Sequence, residues 1–257
     1  MSLAAVLALG FFLGMRHATD ADHVVAVSTI VSRQRTLRAA APIGMLWGIG
    51  HTVTILLVGG AIILFGIVIP PRLGLGMELS VALMLVLLGA LNVHSVLRDA
   101  QALAGDPAHP PEHAGAGPGH PHAHASQPDS RQRAEESGCM ARRRGGGFAL
   151  LRPLFIGIVH GLAGSAAVAL LVLGAINDAP LALAYLLVFG AGTIAGMVLI
   201  TSALAVPLTA AAQRFAGFHR LLGVATGLAS VLFGALLVYE IGFVQGLFRS
   251  ELHWSPH

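Results

Sequence analysis

Five ionisable side chains lie within eight residues, between two apolar runs, at Arg16, His17, Asp20, Asp22 and His23. Moving charged groups into hydrocarbon is costly, so such a cluster in an apolar segment indicates a functional site. Two imidazoles and two carboxylates this close together form a plausible ligand set for a divalent transition metal. On one continuous helix His17, Asp20 and His23 would share a face. A break in the helix would instead let Asp22 join or replace Asp20, and we expect a break.

Further polar residues occur in later apolar segments. His51 follows Gly48 and Gly50, and it can complete the coordination sphere of a metal bound by the first cluster. The predicted metal ligands are therefore His17, Asp20, Asp22, His23 and His51. Candidate pathway residues are Thr52, Asn92, His94 and His160.

A structural network is the competing interpretation of these residues. Arg16 would then pair with Asp20, four residues later, and the histidines would bond to backbone carbonyl groups. We expect the Thr52 hydroxyl to donate to the backbone of its own helix. Two His and two Asp in so short a stretch favour the metal site.

The composition indicates a membrane protein. Of 257 residues, 55% are hydrophobic and 11% are charged, whereas soluble domains average about 25% charged. The apolar runs are long and nearly continuous, which predicts helices and not the alternating pattern of a membrane barrel. All 15 basic residues are Arg, which excludes a Walker A loop with its Lys, and we expect neither an ATPase subunit nor a cofactor. The pI of about 10.0 is attributed to basic loops on one membrane face, not to a nucleic-acid surface.

Six apolar segments are long enough to span a bilayer, at residues 2–32, 42–69, 77–97, 148–176, 181–207 and 218–243. As a single helix the first would be about 45 Å long, against a hydrocarbon core of about 30 Å. We therefore predict an all-α polytopic membrane protein with six transmembrane helices, of which the first is discontinuous.

The central segment, residues 98–148, has a different composition, rich in Pro, Gly, Ser, Arg and His. Such a composition cannot bury a core, and we expect the segment to be disordered. It separates two membrane units, residues 1–97 and 149–257. Its run His120-Pro121-His122-Ala123-His124 is a plausible weak site for Ni²⁺, Co²⁺, Cu²⁺ or Zn²⁺, and a solvated linker is the alternative.

Arginine is concentrated in the odd-numbered loops, at Arg33, Arg35, Arg38, Arg98, Arg142 to Arg144, Arg214 and Arg220. Basic loops remain in the cytoplasm. This distribution predicts a bacterial inner-membrane protein with both termini outside and a cytoplasmic His-rich segment.

The two membrane units can be aligned with each other. Phe12-x-Gly14-x-x-His17 matches Phe155-x-Gly157-x-x-His160, and Gly48-x-Gly50 falls opposite Gly190-x-Gly192. Three spans in each unit predict opposite orientations, the 3+3 inverted repeat of many secondary transporters, in which the substrate site lies near the bilayer midplane. Of the first cluster only His17 has a counterpart, so we assign the metal chemistry to the first unit.

Residues 16–23, Arg-His-Ala-Thr-Asp-Ala-Asp-His, resemble the His-x4-Asp-His signature of the nickel/cobalt transporter family. Gly50-His51-Thr52 resembles that family's second motif. The resemblance covers the first two or three spans well and is closer to the shorter branch often found beside urease genes. It implies a secondary permease for Ni²⁺, with Co²⁺ as a second substrate. It also implies that His17, Asp22 and His23 are essential and that His51 contributes.

These observations predict a transporter, not an enzyme, which moves Ni²⁺ into the cytoplasm across the lipid bilayer. Efflux is an alternative, because the His-rich segment resembles that of the nickel/cobalt efflux proteins of the wider superfamily. An intramembrane metal-dependent hydrolase is less favoured, since the chain has neither a His-Glu-x-x-His sequence nor a Ser/Lys pair. A non-transporting accessory subunit is a third alternative. The sequence leaves the oligomeric state open.

Overall fold

The computed structural model describes residues 2–32, 37–67, 69–104, 151–162, 176, 178–214 and 218–249. Within these ranges the regular secondary structure is helical. The helices are α1 (Leu3–His17), α2 (Ala21–Val31), α3 (Leu37–Phe65), α4 (Pro71–Ala104), α5 (Leu151–Gly161), α6 (Ala179–Arg214) and α7 (Phe218–Tyr239). A π-helical turn, Glu240–Val244, follows α7 directly.

Four of these helices are long and apolar enough to cross a membrane, within Ala40–Phe65, Pro71–Gln101, Ala179–Ala210 and Arg220–Val244. They correspond to the second, third, fifth and sixth predicted spans, and the protein is an all-α membrane protein. α1, α2 and α5 are shorter apolar helices. Much of the fourth predicted span and most of the central segment 98–148 lie outside the described residues, so the count of six spans stays a prediction.

The first apolar segment is broken at the polar cluster, as predicted. α1 ends at His17, and the Thr19 hydroxyl donates to the Arg16 carbonyl at 2.6 Å. Asp20 then takes an extended conformation, with φ −61° and ψ 149°, before α2 begins. Its side chain makes no capping hydrogen bond to the start of α2. The break leaves the polar side chains of the cluster free to turn towards the neighbouring helices.

Glycines bring α1 into direct backbone contact with α6. A Cβ atom at Gly14 would collide with the carbonyl oxygen of Phe189 and lie 2.9 Å from the backbone nitrogen of Thr193. In the opposite direction, a Cβ at Gly192 would collide with the carbonyl oxygen of Phe11. Only glycine permits so close an approach of two helices at these positions.

The same arrangement joins α5 to α3. A Cβ at Gly157 would collide with the Trp47 carbonyl oxygen and lie 3.0 Å from the backbone nitrogen of His51, and one at Gly50 would collide with the Leu154 carbonyl oxygen. Each of these residues is the aligned counterpart of a residue in the α1–α6 contact. The Thr54 hydroxyl also donates to the Ile158 carbonyl at 3.0 Å. α5 is therefore held against the segment of α3 around His51, from Trp47 to Thr54.

α4 and α7 form another close helix pair. A Cβ at Gly89 would meet the Gly227 carbonyl oxygen, and one at Gly234 would lie 2.7 Å from the Ala82 carbonyl oxygen. The amide nitrogen of Asn92 donates to the Gly223 carbonyl at 2.8 Å. This pair packs beside α2, which carries one side of the polar cluster.

Candidate metal centre

Four imidazole rings meet where the break in the first segment faces α3 and α5. His17 is the last residue of α1, His23 lies in the first turn of α2, and His51 and His160 come from α3 and α5. His17 is 6% exposed and the other three are fully buried. The centroids of the His23 and His160 rings are 4.2 Å apart, and those of His17 and His51 are 5.0 Å apart. Imidazole nitrogens that are buried away from water need hydrogen-bond partners or a bound ligand.

Asp20 orients His17. The Oδ2 atom of Asp20 is 2.8 Å from Nδ1 of His17. An ionised carboxylate can only accept hydrogen bonds, so Nδ1 of His17 is the protonated nitrogen and Nε2 keeps the lone pair. That Nε2 atom lies 3.0 Å from Nε2 of His51. Two nitrogens bound to a first-row metal at ~2.0–2.1 Å and at right angles would be about 3.0 Å apart, the spacing seen here.

Asp22 orients two other rings at once. Its Oδ1 atom is 3.0 Å from Nδ1 of His23, and its Oδ2 atom is 2.9 Å from Nε2 of His160. By the same reasoning, the lone pairs remain on Nε2 of His23 and Nδ1 of His160, and both atoms are buried with no hydrogen-bond partner among the described residues. Carboxylates that fix the tautomer of metal-binding histidines are a common feature of metal sites.

The candidate ligands form two groups of three residues. Within each group the ligand atoms lie within 4.8 Å of one another. One group is His17, His23 and His51, and the other is Asp22, His23 and His160. With neutral rings, Asp20 and Asp22 supply two negative charges close to these nitrogens, which would offset the charge of a dication in a region of low dielectric. The chemistry of the donor set suits Ni²⁺, Co²⁺, Cu²⁺ or Zn²⁺ better than Mg²⁺ or Ca²⁺.

Aromatic side chains form the apolar wall of the cluster. The indole of Trp47 stacks on His23, with centroids 6.3 Å apart and planes at 21°, and packs against His160 at 5.5 Å. Phe189 of α6 lies 5.8 Å from His17. The sequence predictions did not include Trp47, although it lies one helical turn before His51. That spacing, which places both on one face of α3, was the available signal.

The structure brings together all five predicted ligands. His17, Asp20, Asp22, His23 and His51 all lie in the cluster, joined by His160, which was predicted only as a pathway residue. Asp20 is the most peripheral, with 43% of its side chain exposed, against 17% for Asp22. Metal binding by these residues stays a prediction. The competing structural network predicted different partners. Asp20 pairs with His17, where the network predicted Arg16. The imidazoles bond to carboxylates and to one another, where the network predicted backbone carbonyl groups.

The other predicted pathway residues lie in helix contacts or at the surface. The Thr52 hydroxyl donates to the Gly190 carbonyl of α6 at 3.2 Å, so the predicted bond to its own helix is wrong. Asn92 is 4% exposed and links α4 to α7. His94 is exposed on α4. A role for Thr52, Asn92 or His94 in the pathway therefore stays a prediction, and the run from His120 to His124 lies outside the described residues.

Comparison with known proteins identifies the family. No family model matches the chain, and no solved structure matches it. The chain is 34% identical over 249 residues to the urease accessory protein UreH of Bacillus sp. (strain TB-90), and the match covers 97% of each protein. The predicted resemblance to the urease-accessory branch is thereby confirmed. The chain belongs to the UreH family of urease accessory proteins, the shorter branch of the nickel/cobalt permease-like proteins that its two motifs resemble.

Proposed function

We propose that the protein is a secondary permease that carries Ni²⁺, with Co²⁺ as a second cargo, into the cytoplasm of a bacterium. The observation that carries the proposal is the set of four buried imidazoles in a membrane protein, three of them oriented by Asp20 and Asp22. Burying four imidazoles beside two carboxylates in an apolar helical protein is costly unless they serve a function. A dication is the ligand that their lone pairs and negative charge would bind.

His17, His23 and His51 are the proposed first ligands. His17 and His23 already have the tautomer that leaves Nε2 free. Because Nε2 of His17 keeps its lone pair, Nε2 of His51 is the donor in the 3.0 Å hydrogen bond between them. To bind a metal through Nε2, His51 would therefore shift its proton to Nδ1, a buried atom that has no hydrogen-bond partner in the described part of the chain. Binding would thus need a tautomer change at one ring only, and no displacement of either carboxylate.

The membrane potential is sufficient to drive uptake. Moving two positive charges inward across ~100 mV releases about 4.6 kcal/mol, which favours accumulation without ATP. The absence of a Walker A loop from the sequence agrees with a secondary mechanism.

We further propose that the fold is the predicted 3+3 inverted repeat, with six spans and with both termini outside the cytoplasm. The reciprocal glycine contacts support it. Gly14 meets Phe189 as Gly157 meets Trp47, and the aligned position of His51 is taken by the buried Thr193. Each short helix therefore packs on the long helix of the other unit. Such folds alternate access by rocking one unit against the other around a central site.

Flux into liposomes tests transport directly. Purified wild-type protein should carry radioactive nickel into the vesicles, faster when the interior is negative. His17→Ala and His23→Ala should abolish this flux because each removes an imidazole of the proposed site. Leu87→Ala is the control, since that side chain is exposed on α4 and lies outside the cluster. Absence of nickel flux with the wild-type protein would refute the permease function.

The direction of transport needs a second measurement in cells. Expression of an importer raises cell-associated radioactive nickel, whereas expression of an exporter lowers it and protects cells from toxic nickel concentrations. The His-rich segment is the feature that favours export, because it resembles that of the efflux proteins. We expect accumulation, and a fall in cell-associated nickel would reverse the proposed direction.

A further inference from the structure

Three helices bring polar oxygens together at the end of α2 that is remote from the imidazoles. Thr29 lies in the last turn of α2 and Ser32 follows that helix, and both are 2% exposed. The carbonyl oxygen of Thr226 on α7 lies 3.2 Å from Oγ1 of Thr29, and its Oγ1 lies 3.3 Å from Oγ of Ser32. Nδ2 of Asn92 on α4 donates to the Gly223 carbonyl, one turn before Thr226. The side-chain oxygens of Thr29, Ser32, Thr226 and Asn92 and the Thr226 carbonyl oxygen form the oxygen cluster.

The hydroxyl protons of the oxygen cluster are used within each helix. Thr29 donates to the Val25 carbonyl at 2.9 Å, and Ser32 donates to the Thr29 carbonyl at 2.9 Å. Thr226 donates to the Leu222 carbonyl at 2.8 Å. A hydroxyl has one proton to donate, and O–H···O bonds are usually about 2.7–2.8 Å long. The contacts of 3.2 and 3.3 Å between α2 and α7 are longer, so they bring oxygen lone pairs together.

Asn92 contributes a further oxygen that accepts no proton. Its Nδ2 atom is 2.8 Å from the Gly223 carbonyl oxygen, and turning the amide over would place two acceptors against each other. Oδ1 is therefore the free atom, and it is buried with no hydrogen-bond partner among the described residues. The Gly223 carbonyl oxygen is also 3.3 Å from Oγ1 of Thr226, so the amide of Asn92 adjoins the hydroxyls. Buried acceptors that face one another require a donor or a positive charge.

We propose that the oxygen cluster binds a monovalent cation of the size of Na⁺. Hydroxyl and carbonyl oxygens are the ligands that hard cations prefer. Two oxygens bound at right angles, each about 2.3 Å from an ion, are about 3.3 Å apart. That distance matches the spacing between the oxygens of α2 and α7. All of these ligands are neutral, so a single charge is less costly to bury among them than the two charges of a dication.

α2 connects the oxygen cluster to the imidazoles. Its first turn carries Asp22 and His23, and Thr29 follows Asp22 by about two turns on the same face. A cation bound by Thr29, Ser32 and Thr226 would fasten the end of α2 to α7. It would thereby hold Asp22 and His23 where they meet the other imidazoles. Na⁺ should therefore strengthen Ni²⁺ binding, and this coupling rests on the proposed nickel site, whereas the cation site itself does not.

Thermal unfolding of the purified full-length protein tests the cation site without nickel. NaCl at about ten times the Kd for Na⁺ should raise the unfolding temperature of the wild type by about 3–6 °C. The reference is N-methylglucamine chloride at the same concentration, which supplies the same ionic strength with a cation too large for the oxygen cluster. Radioactive sodium should bind at one ion per chain. Equal unfolding temperatures in the two salts would overturn the proposal.

Two variants separate cation binding from helix packing. Thr29→Val keeps the shape of the side chain but removes one oxygen ligand, and a tenfold loss of affinity would reduce the rise to about 1–2 °C. Ser230→Ala is the matched control, because it removes a buried hydroxyl that donates from α7 to the Leu85 carbonyl of α4 at 2.8 Å. Each variant is compared with itself in the two salts, so a general loss of stability cancels. A full rise in Thr29→Val, or loss of the rise in Ser230→Ala, would overturn the proposal.

Nickel titration in the same two salts tests the coupling through α2. The wild type should bind Ni²⁺ about fivefold or more tightly in NaCl, and Thr29→Val should bind it almost equally in both salts. Equal nickel affinity of the wild type in the two salts would overturn the coupling. If wild-type liposomes carry no nickel while NaCl still raises the unfolding temperature, the permease function falls and the cation site stands.

Discussion

Replacing Gly50 by Ala should force α3 and α5 apart beside the proposed metal ligands. The added Cβ would lie 3.0 Å from the backbone nitrogen of Ile158 and 3.2 Å from the carbonyl carbon of Leu154, and it would collide with the Leu154 oxygen. These are backbone atoms, which cannot rotate away. The helices must therefore separate by on the order of 1 Å before the atoms regain ordinary van der Waals contact.

The expected cost follows from two opposing effects. Overpacking costs about 1–3 kcal/mol, whereas Ala favours a helix interior over Gly by about 1 kcal/mol. Gly60→Ala isolates the first effect. Gly60 is buried in the same helix, but a Cβ there would meet no atom of another described segment within 4 Å, so only the helix propensity changes. The two variants should therefore differ in free energy of unfolding by the clash alone.

Thermal unfolding in detergent and Ni²⁺ titration measure the two consequences. Gly50→Ala should unfold roughly 2–12 °C below Gly60→Ala, from about 2–4 °C per kcal/mol for a domain of this size. Its nickel affinity should also fall, because the neighbouring His51 and the His160 of α5 move apart, and metal sites tolerate only about 0.5 Å of displacement. Equal stability and equal affinity in the two variants would refute this account of the α3–α5 contact.

Three further outcomes are expected. Asp22→Ala should weaken Ni²⁺ binding more than Asp20→Ala, because Asp22 orients two imidazoles and Asp20 orients one. Loss of one such partner costs about 10–100-fold in metal affinity. Equal losses of affinity in competition titrations of the two variants would contradict the assignment. Nickel flux should fall when the medium is acidified from about pH 7.5 to about pH 4, since protons compete with the metal for neutral imidazoles; flux that does not change over this whole range would contradict histidine ligands. Deleting residues 106–126 should change flux only modestly, and its abolition would mean that the His-rich run delivers the ion.

The membrane class and the broken first helix could be predicted because both depend on local properties. An apolar composition of 55% and long uninterrupted runs require lipid or a protein interior, whatever the arrangement of the helices. A segment of 31 residues with charged groups at its centre is too long and too polar for one straight span. Five of the six polar residues of the cluster were predicted as ligands for the same reason, since four of them lie within one short stretch.

The arrangement of those residues could not be predicted in the same way. Spacing along a helix allowed Asp20 or Asp22 to be a ligand, but the geometry gives each carboxylate its own imidazole partners. Trp47 resembled an ordinary core residue in the sequence. Its stacking on His23 depends on the angle at which α2 crosses α3, which no local pattern specifies.

The sequence by itself determined that this protein concentrates imidazoles and carboxylates at an interruption in a membrane helix, because helix length, charge and spacing act within a few residues. Only the tertiary structure decided that His160 joins them. It bonds to Asp22 across 138 residues of chain, and its position follows from glycine contacts that let α5 pack directly on α3. Contacts of that kind depend on how separate helices pack, so the shared His23 and the two groups around it emerged only from the fold.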